Sequence, residues 1–209
     1  MKHIILLGDS ILDNAAYVED GPALIDQLKA KLPKGWKATL RAVDGSTTAD
    51  IKTQLLQLPS DTSHLMISVG GNNALLRLEF LQERASSVAE VMARLAQLGE
   101  EFQNSYQSML QKALVHKKPT ILCTIYYPQF AEPYQTMAVA ALTVFNDVIL
   151  RAAFVAGLPV IDLRLLCNDP ADYANPIEPS EIGGEKITTA IARIVKEHDF
   201  TCQRTAIYF

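Results

Sequence analysis

Short apolar runs alternate along the chain with longer stretches whose apolar residues recur every three or four positions. The runs His3–Leu7, Ala38–Val43, Leu65–Val69, Thr120–Ile125 and Pro159–Leu163 predict strands, and the first is continuous enough to be covered on both faces. Between them, Pro22–Leu32, Thr48–Leu58, Glu83–Val115, Tyr134–Ala156 and Ile182–Glu197 read as helices. Pro22 suits a first helical turn, and Gly157 suits a C-cap ahead of Pro159. Leu98-Gly99 predicts a break in the longest helical stretch, and Leu75–Arg84 reads as a lid-like insertion beside the third strand. The tail Thr201–Phe209 is expected to pack back on the core.

Strands that alternate with helices over long crossovers imply a parallel sheet with helices on both faces. The expected fold is therefore α/β: a three-layer α/β/α sandwich on a flavodoxin-like five-stranded parallel sheet of order 2-1-3-4-5. No repeat, linker or low-complexity tract divides the chain, so residues 1–209 read as a single domain.

Composition narrows the function by exclusion. A net charge of −4 without any basic stripe gives no footprint for nucleic acid. The four apolar residues before Gly8 are too few for a signal-peptide core, and no apolar stretch approaches the ~20 residues of a membrane span. Three cysteines without CxxC spacing argue against a disulfide framework or a zinc site and fit a reducing compartment, with the cytoplasm expected. No His/Cys/carboxylate cluster has ligand spacing, so neither a metal nor a cofactor is expected.

The candidate chemistry lies in the loops that follow strand ends. Gly8-Asp9-Ser10 follows strand 1, Asp44-Gly45-Ser46 follows strand 2 and Gly70-Gly71-Asn72-Asn73 follows strand 3. After strand 5 comes Asn175-Pro176-Ile177-Glu178-Pro179-Ser180, at the start of the last helix. Right-handed crossovers bring these loops to one edge of the sheet. A hydroxyl, a Gly-rich turn and a side-chain amide meeting there are the parts needed to attack a carbonyl and hold the resulting oxyanion. Gly45 also suits a positive-φ turn, and Asn72 an Asx-type turn.

With these blocks in order, the chain resembles the SGNH, or GDSL, hydrolases over nearly its whole length. The resemblance implies Ser10 as nucleophile, with the Ser10 and Gly45 N–H groups and the Asn72 amide as oxyanion hole. Asp9 reads as a loop cap rather than a reacting group, and Asp13, Asn14 and Tyr17 as loop structure.

The pattern departs from the family at its last block, usually Asp-x-x-His. Here Asn175 stands at the aspartate position and Glu178 at the histidine position, and Asn73 replaces the GxND aspartate. His3, His64, His116 and His198 all map to the opposite edge of the sheet, a strand length of roughly 17–20 Å from Ser10. Glu178 is then the side chain in the base position, where burial would raise its basicity. It reads equally as a carboxylate at a helix N-terminus, and Asp172 is a second candidate base or orienter.

The expected function is hydrolysis of a carboxylic ester, with a small-molecule ester or acylated compound as substrate. The alternative is a catalytically silent relative whose oxyanion pocket binds a carboxylate or acylated ligand. A flavin or nucleotide binder is disfavoured by the missing GxxxxGK[ST] loop.

Overall fold

The computed structural model describes residues 1–19 and 21–209. β1 (Lys2–Gly8) lies between β2 (Trp36–Leu40) and β3 (His64–Ser68), parallel to both. β4 (Thr120–Cys123) and β5 (Val160–Ile161) continue the sheet beyond β3. From His3 to Gly8 every residue of β1 is buried, as its uninterrupted apolar run requires.

The two faces of β1 feed two cores. Ile4 and Leu6 pack towards α1 (Leu24–Lys31) and α7 (Glu181–Glu197), through residues such as Leu28 and Ile191. Ile5 and Leu7 pack on the other face towards α4 (Val88–Leu114) and α5 (Tyr134–Ala156), through Tyr106 and Ile149. The short α2 (Ile51–Leu55) joins that second layer through its two terminal residues. This is the three-layer α/β/α arrangement expected from the pattern.

The sheet has six strands rather than five. Its order is β2-β1-β3-β4-β5-β8, where β8 is Ile207–Tyr208, parallel to β5. The tail does return to the core, and it does so as an edge strand: Val160 N–H donates to Ala206 O and Asp162 N–H to Tyr208 O. Two β-bridge residues surrounded by loop carry too little alternation to register in the sequence as a strand. A separate two-stranded ribbon, β6 (Tyr173–Asn175) with β7 (Glu178–Pro179), precedes α7.

The expected break at Leu98-Gly99 does not occur; α4 runs unbroken through 27 residues. Gly99 serves packing instead, since a Cβ there would lie 2.6 Å from Val144 Cγ1 on α5. Leu75–Arg84 takes in the last residue of α3 (Gly71–Leu75) and a 3₁₀ turn at Leu78–Gln82. By length and composition α5 is apolar enough to cross a membrane, with mean hydropathy of 1.7 over an 18-residue window. No single run in the sequence showed this, because the helix's polar residues are scattered. Its inward stripe, including Phe145, Val148 and Ile149, packs against the sheet.

At the edge far from the β1 C-terminus, His64 is buried between Trp36 and Phe200, at ring-centroid distances of 4.7 and 5.1 Å. Burial pushes its imidazole down to about 4 from an ordinary 6.5. The unfolded chain therefore binds a proton that the folded chain resists. Stability from this group is complete above pH 6.5 and is lost as pH falls towards 4. His64→Phe should flatten the fall in thermal midpoint over that window, by comparison of the two proteins in calorimetry.

Candidate active site

Ser10 sits one residue past the Asp9 that follows β1, at the C-terminal edge of the sheet. The strand order makes this the switch point between β1 and β3, where open α/β sheets bind ligands. Gly8 makes the turn possible. Its φ is +147°, and a Cβ there would lie 1.9 Å from Ser68 O. Only glycine lets the loop bearing Ser10 pass so close to β3.

The Ser10 hydroxyl donates to Glu178 Oε1 at 2.9 Å. Both groups are buried, each 5% exposed. Glu178 stands at the start of β7, and its turn is built by Asn175, whose Oδ1 accepts from Ile177 N–H and Glu178 N–H, each at 3.0 Å. Tyr126 secures the same turn by donating its hydroxyl to Ile177 O at 2.6 Å. The helix cap is made by another residue: Ser180 Oγ accepts from Gly183 N–H at 3.2 Å, leaving Glu178 free to face inward.

Burial raises the Glu178 carboxyl to about 7, with the Asp44 charge adding to the rise and the Ser10 hydroxyl opposing it. Its second oxygen, Oε2, is buried without a protein partner among the described residues. Asp9 is also raised to about 7, first by burial and then by the Glu178 charge, while Ile11 N–H, donating to Asp9 Oδ1 at 3.2 Å, works the other way. Two carboxyls in one dry pocket resist ionising together.

The amide residues join the other loops to this centre. Asn72 Nδ2 donates to Ser46 O at 3.0 Å, tying the start of α3 to the loop after β2. Gly45 stands in that loop at φ +78°. The backbone N–H groups of Ser10 and Gly45 find no protein acceptor among the described residues. Asn73 is occupied with Thr48, accepting from its N–H and donating to its hydroxyl, each at 3.1 Å. Asp172 lies elsewhere: its carboxylate accepts from Asp169 N–H at 3.0 Å and pairs with Lys186 Nζ at 2.7 Å.

Gln54 was not singled out in the sequence. From α2 its Oε1 accepts from Gly8 N–H and its Nε2 donates to Gly8 O, both at 2.8 Å, and Nε2 also reaches Ser46 Oγ at 3.2 Å. One buried amide thus clamps the Gly8–Ser10 turn to the Gly45-Ser46 loop. A glutamine in a helical pattern carries no signal of this, since the partners are 46 and eight residues away.

None of the four histidines enters the site. His3 bonds Asp61 and Thr39 at 2.8 Å, and His198 bonds the Tyr208 hydroxyl at 3.1 Å. His64 lies in the aromatic cluster, and His116 follows the end of α4.

The GDSL-like lipase/acylhydrolase family model matches residues 6–183, which carry Ser10, Gly45, Gln54, Asn72 and Glu178. The chain belongs to that family. Solved structures with the same fold include a lipase/acylhydrolase from Enterococcus faecalis, with 21% identity, TM-score 0.68, and coverage of 94% of this chain and 96% of that one. A lipase from goat rumen metagenome has 20% identity, TM-score 0.71, and coverage of 90% and 95%. The acetyl xylan esterase AlAXEase has 17% identity, TM-score 0.64, and coverage of 90% and 96%. No curated protein sequence matches the chain. Family membership supports ester hydrolysis as the general chemistry.

Two outcomes follow from this geometry. Gln54→Leu strands the Gly8 N–H and carbonyl in the core and should cost about 2 kcal/mol or more in urea denaturation. Glu178→Gln acts in the opposite sense. A carboxyl whose folded pKa is raised from 4.5 to about 7 favours folding below pH 4.5 and opposes it as pH rises through 7. The variant should therefore melt higher than the parent at pH 8, and the gap should close by pH 5.

Proposed function

We propose that the protein hydrolyses a carboxylic ester through an acyl-enzyme on Ser10, with Glu178 as general base. The observation that carries this reading is the buried 2.9 Å hydrogen bond from the Ser10 hydroxyl to Glu178 Oε1. A base must lie within hydrogen-bond reach of the proton it removes, and its pKa should lie near the working pH. A carboxyl raised to about 7 meets the second condition.

In the first half-reaction Ser10 Oγ bonds to the acyl carbon as its proton passes to Glu178 Oε1, and the carbonyl electron pair moves onto oxygen. The Ser10 and Gly45 N–H groups and the second N–H of the Asn72 amide hold that oxyanion. Collapse expels the alcohol oxygen, which takes the proton back from Glu178. Water then repeats the sequence on the acyl-serine and releases the acid. Asp9 touches no reacting atom in this scheme, and the charge that adds to the rise of Glu178 is that of Asp44.

A second reading is favoured by one observation, the lack of any imidazole beside Ser10 among the described residues. In it the protein binds a carboxylate or acylated ligand without turnover.

Short-chain aryl esters assayed from pH 5 to pH 9 separate the two. Hydrolysis should rise with pH through about 7, with an apparent pKa that belongs to the Asp9–Glu178 pair. Glu178→Gln should lose about 10²-fold or more, and Asn72→Ala about 10²–10³-fold in rate. A fluorophosphonate should label the parent and not Ser10→Ala. Binding without turnover, or a full rate in Glu178→Gln, would defeat the reading.

A further inference from the structure

We propose that the acyl half of the substrate is an extended apolar chain, longer than acetyl, housed in the cavity beside Ser10. The identification of an ester rests on the reading above; the chain-binding groove itself is testable without turnover.

Ser10 and Glu178 line a cavity of about 100 Å³. Its walls come from three elements: Leu75 and Leu78 in and after α3, Leu98 on α4, and Leu142 and Phe145 on α5. Besides Asp9, Ser10, Asn72 and Glu178, the polar side chains of its lining are Ser68, Arg77, Thr124 and Tyr126. Thr124 already donates to Asp162 at 2.9 Å, and Arg77 pairs with Glu101 at 2.9 Å. A sugar in this space would strand its hydroxyls against leucine. An acetyl group would leave most of the apolar wall facing water.

The acyl group, rather than the alcohol, belongs in this space because of the order of events. The alcohol must leave and water must enter while the acyl group stays bonded to Ser10. The enclosed side therefore suits the acyl chain, and the open side suits the alcohol. That open side is the rim formed by exposed Asp44 and Gly45 with half-buried Tyr17, whose hydroxyl donates to Asp44 at 2.7 Å.

Small residues on α5 set the depth of the groove. Ala138 and Ala141 line it where larger side chains would fill it. Ala141 is half-buried, so the helix tolerates a larger side chain there without loss of core packing.

The test has two arms. In the first, kcat/KM is measured for p-nitrophenyl acetate, butanoate, octanoate and decanoate, and for the alkyl acetates of matching length. Rates should climb along the acyl series and not along the acetate series. Ala141→Phe, with Ala141→Val as the milder change, should lower the decanoate-to-acetate ratio tenfold or more. In the second arm, Ser10→Ala is titrated calorimetrically with methyl butanoate, hexanoate and octanoate. Affinity should rise up to about fourfold per added methylene. Rising affinity in a parent that hydrolyses nothing would overturn the esterase reading and leave the groove standing. Affinity independent of chain length, preference for acetyl, or gain only along the alkyl acetates would overturn the groove.

Discussion

The site depends on a carboxylate kept out of water against a serine hydroxyl. Burying Glu178 costs stability, and the same burial lifts its basicity to where it can accept a proton near neutral pH. An exposed glutamate at this position would be ionised at neutral pH and too weak a base to matter. The surrounding structure is best understood as the means of holding that one group in place. Asn175 shapes its turn, Tyr126 ties the turn to the loop after β4, and Ser180 takes over the helix cap. Each would otherwise be an ordinary loop contact.

The other half of the centre is held from beneath. Gly8 passes within contact of Ser68 O, and Gln54 grips both polar groups of Gly8 while reaching Ser46. The Gly8–Ser10 turn and the loop bearing Gly45 are therefore fixed relative to each other by one side chain. Asn72 adds a second tie to the Ser46 carbonyl. Both ties are side-chain amides that grip backbone groups of neighbouring loops, so those loops keep a fixed spacing.

The cavity is a consequence of helix packing. Gly99 allows α4 and α5 to approach closely, and α4 runs on past it without a break. The segment after β3 then closes over the gap between them as a short helix and a 3₁₀ turn. Local sequence suggested a break at Leu98-Gly99 because glycine weakens an isolated helix. Close contact with a neighbouring helix outweighs that propensity here.

The layer arrangement, the central place of β1 and the loops around Ser10, Gly45, Asn72 and Glu178 were legible from the sequence alone. Buried strands must be continuous in apolar residues, crossover handedness is nearly invariant, and turns at strand ends draw on few residue types. The sixth strand was not legible, because a two-residue edge strand exists only through its partner β5. Nor was the choice between Glu178 and Ser180 as the cap of α7, or the pairing of Asp172 with Lys186. Both turn on side-chain direction across contacts many residues apart. Gln54 and the depth of the apolar cavity belong to the same class. Tertiary structure decided them because burial and distance, which set hydrogen bonds and pKa values, arise only when separate segments meet.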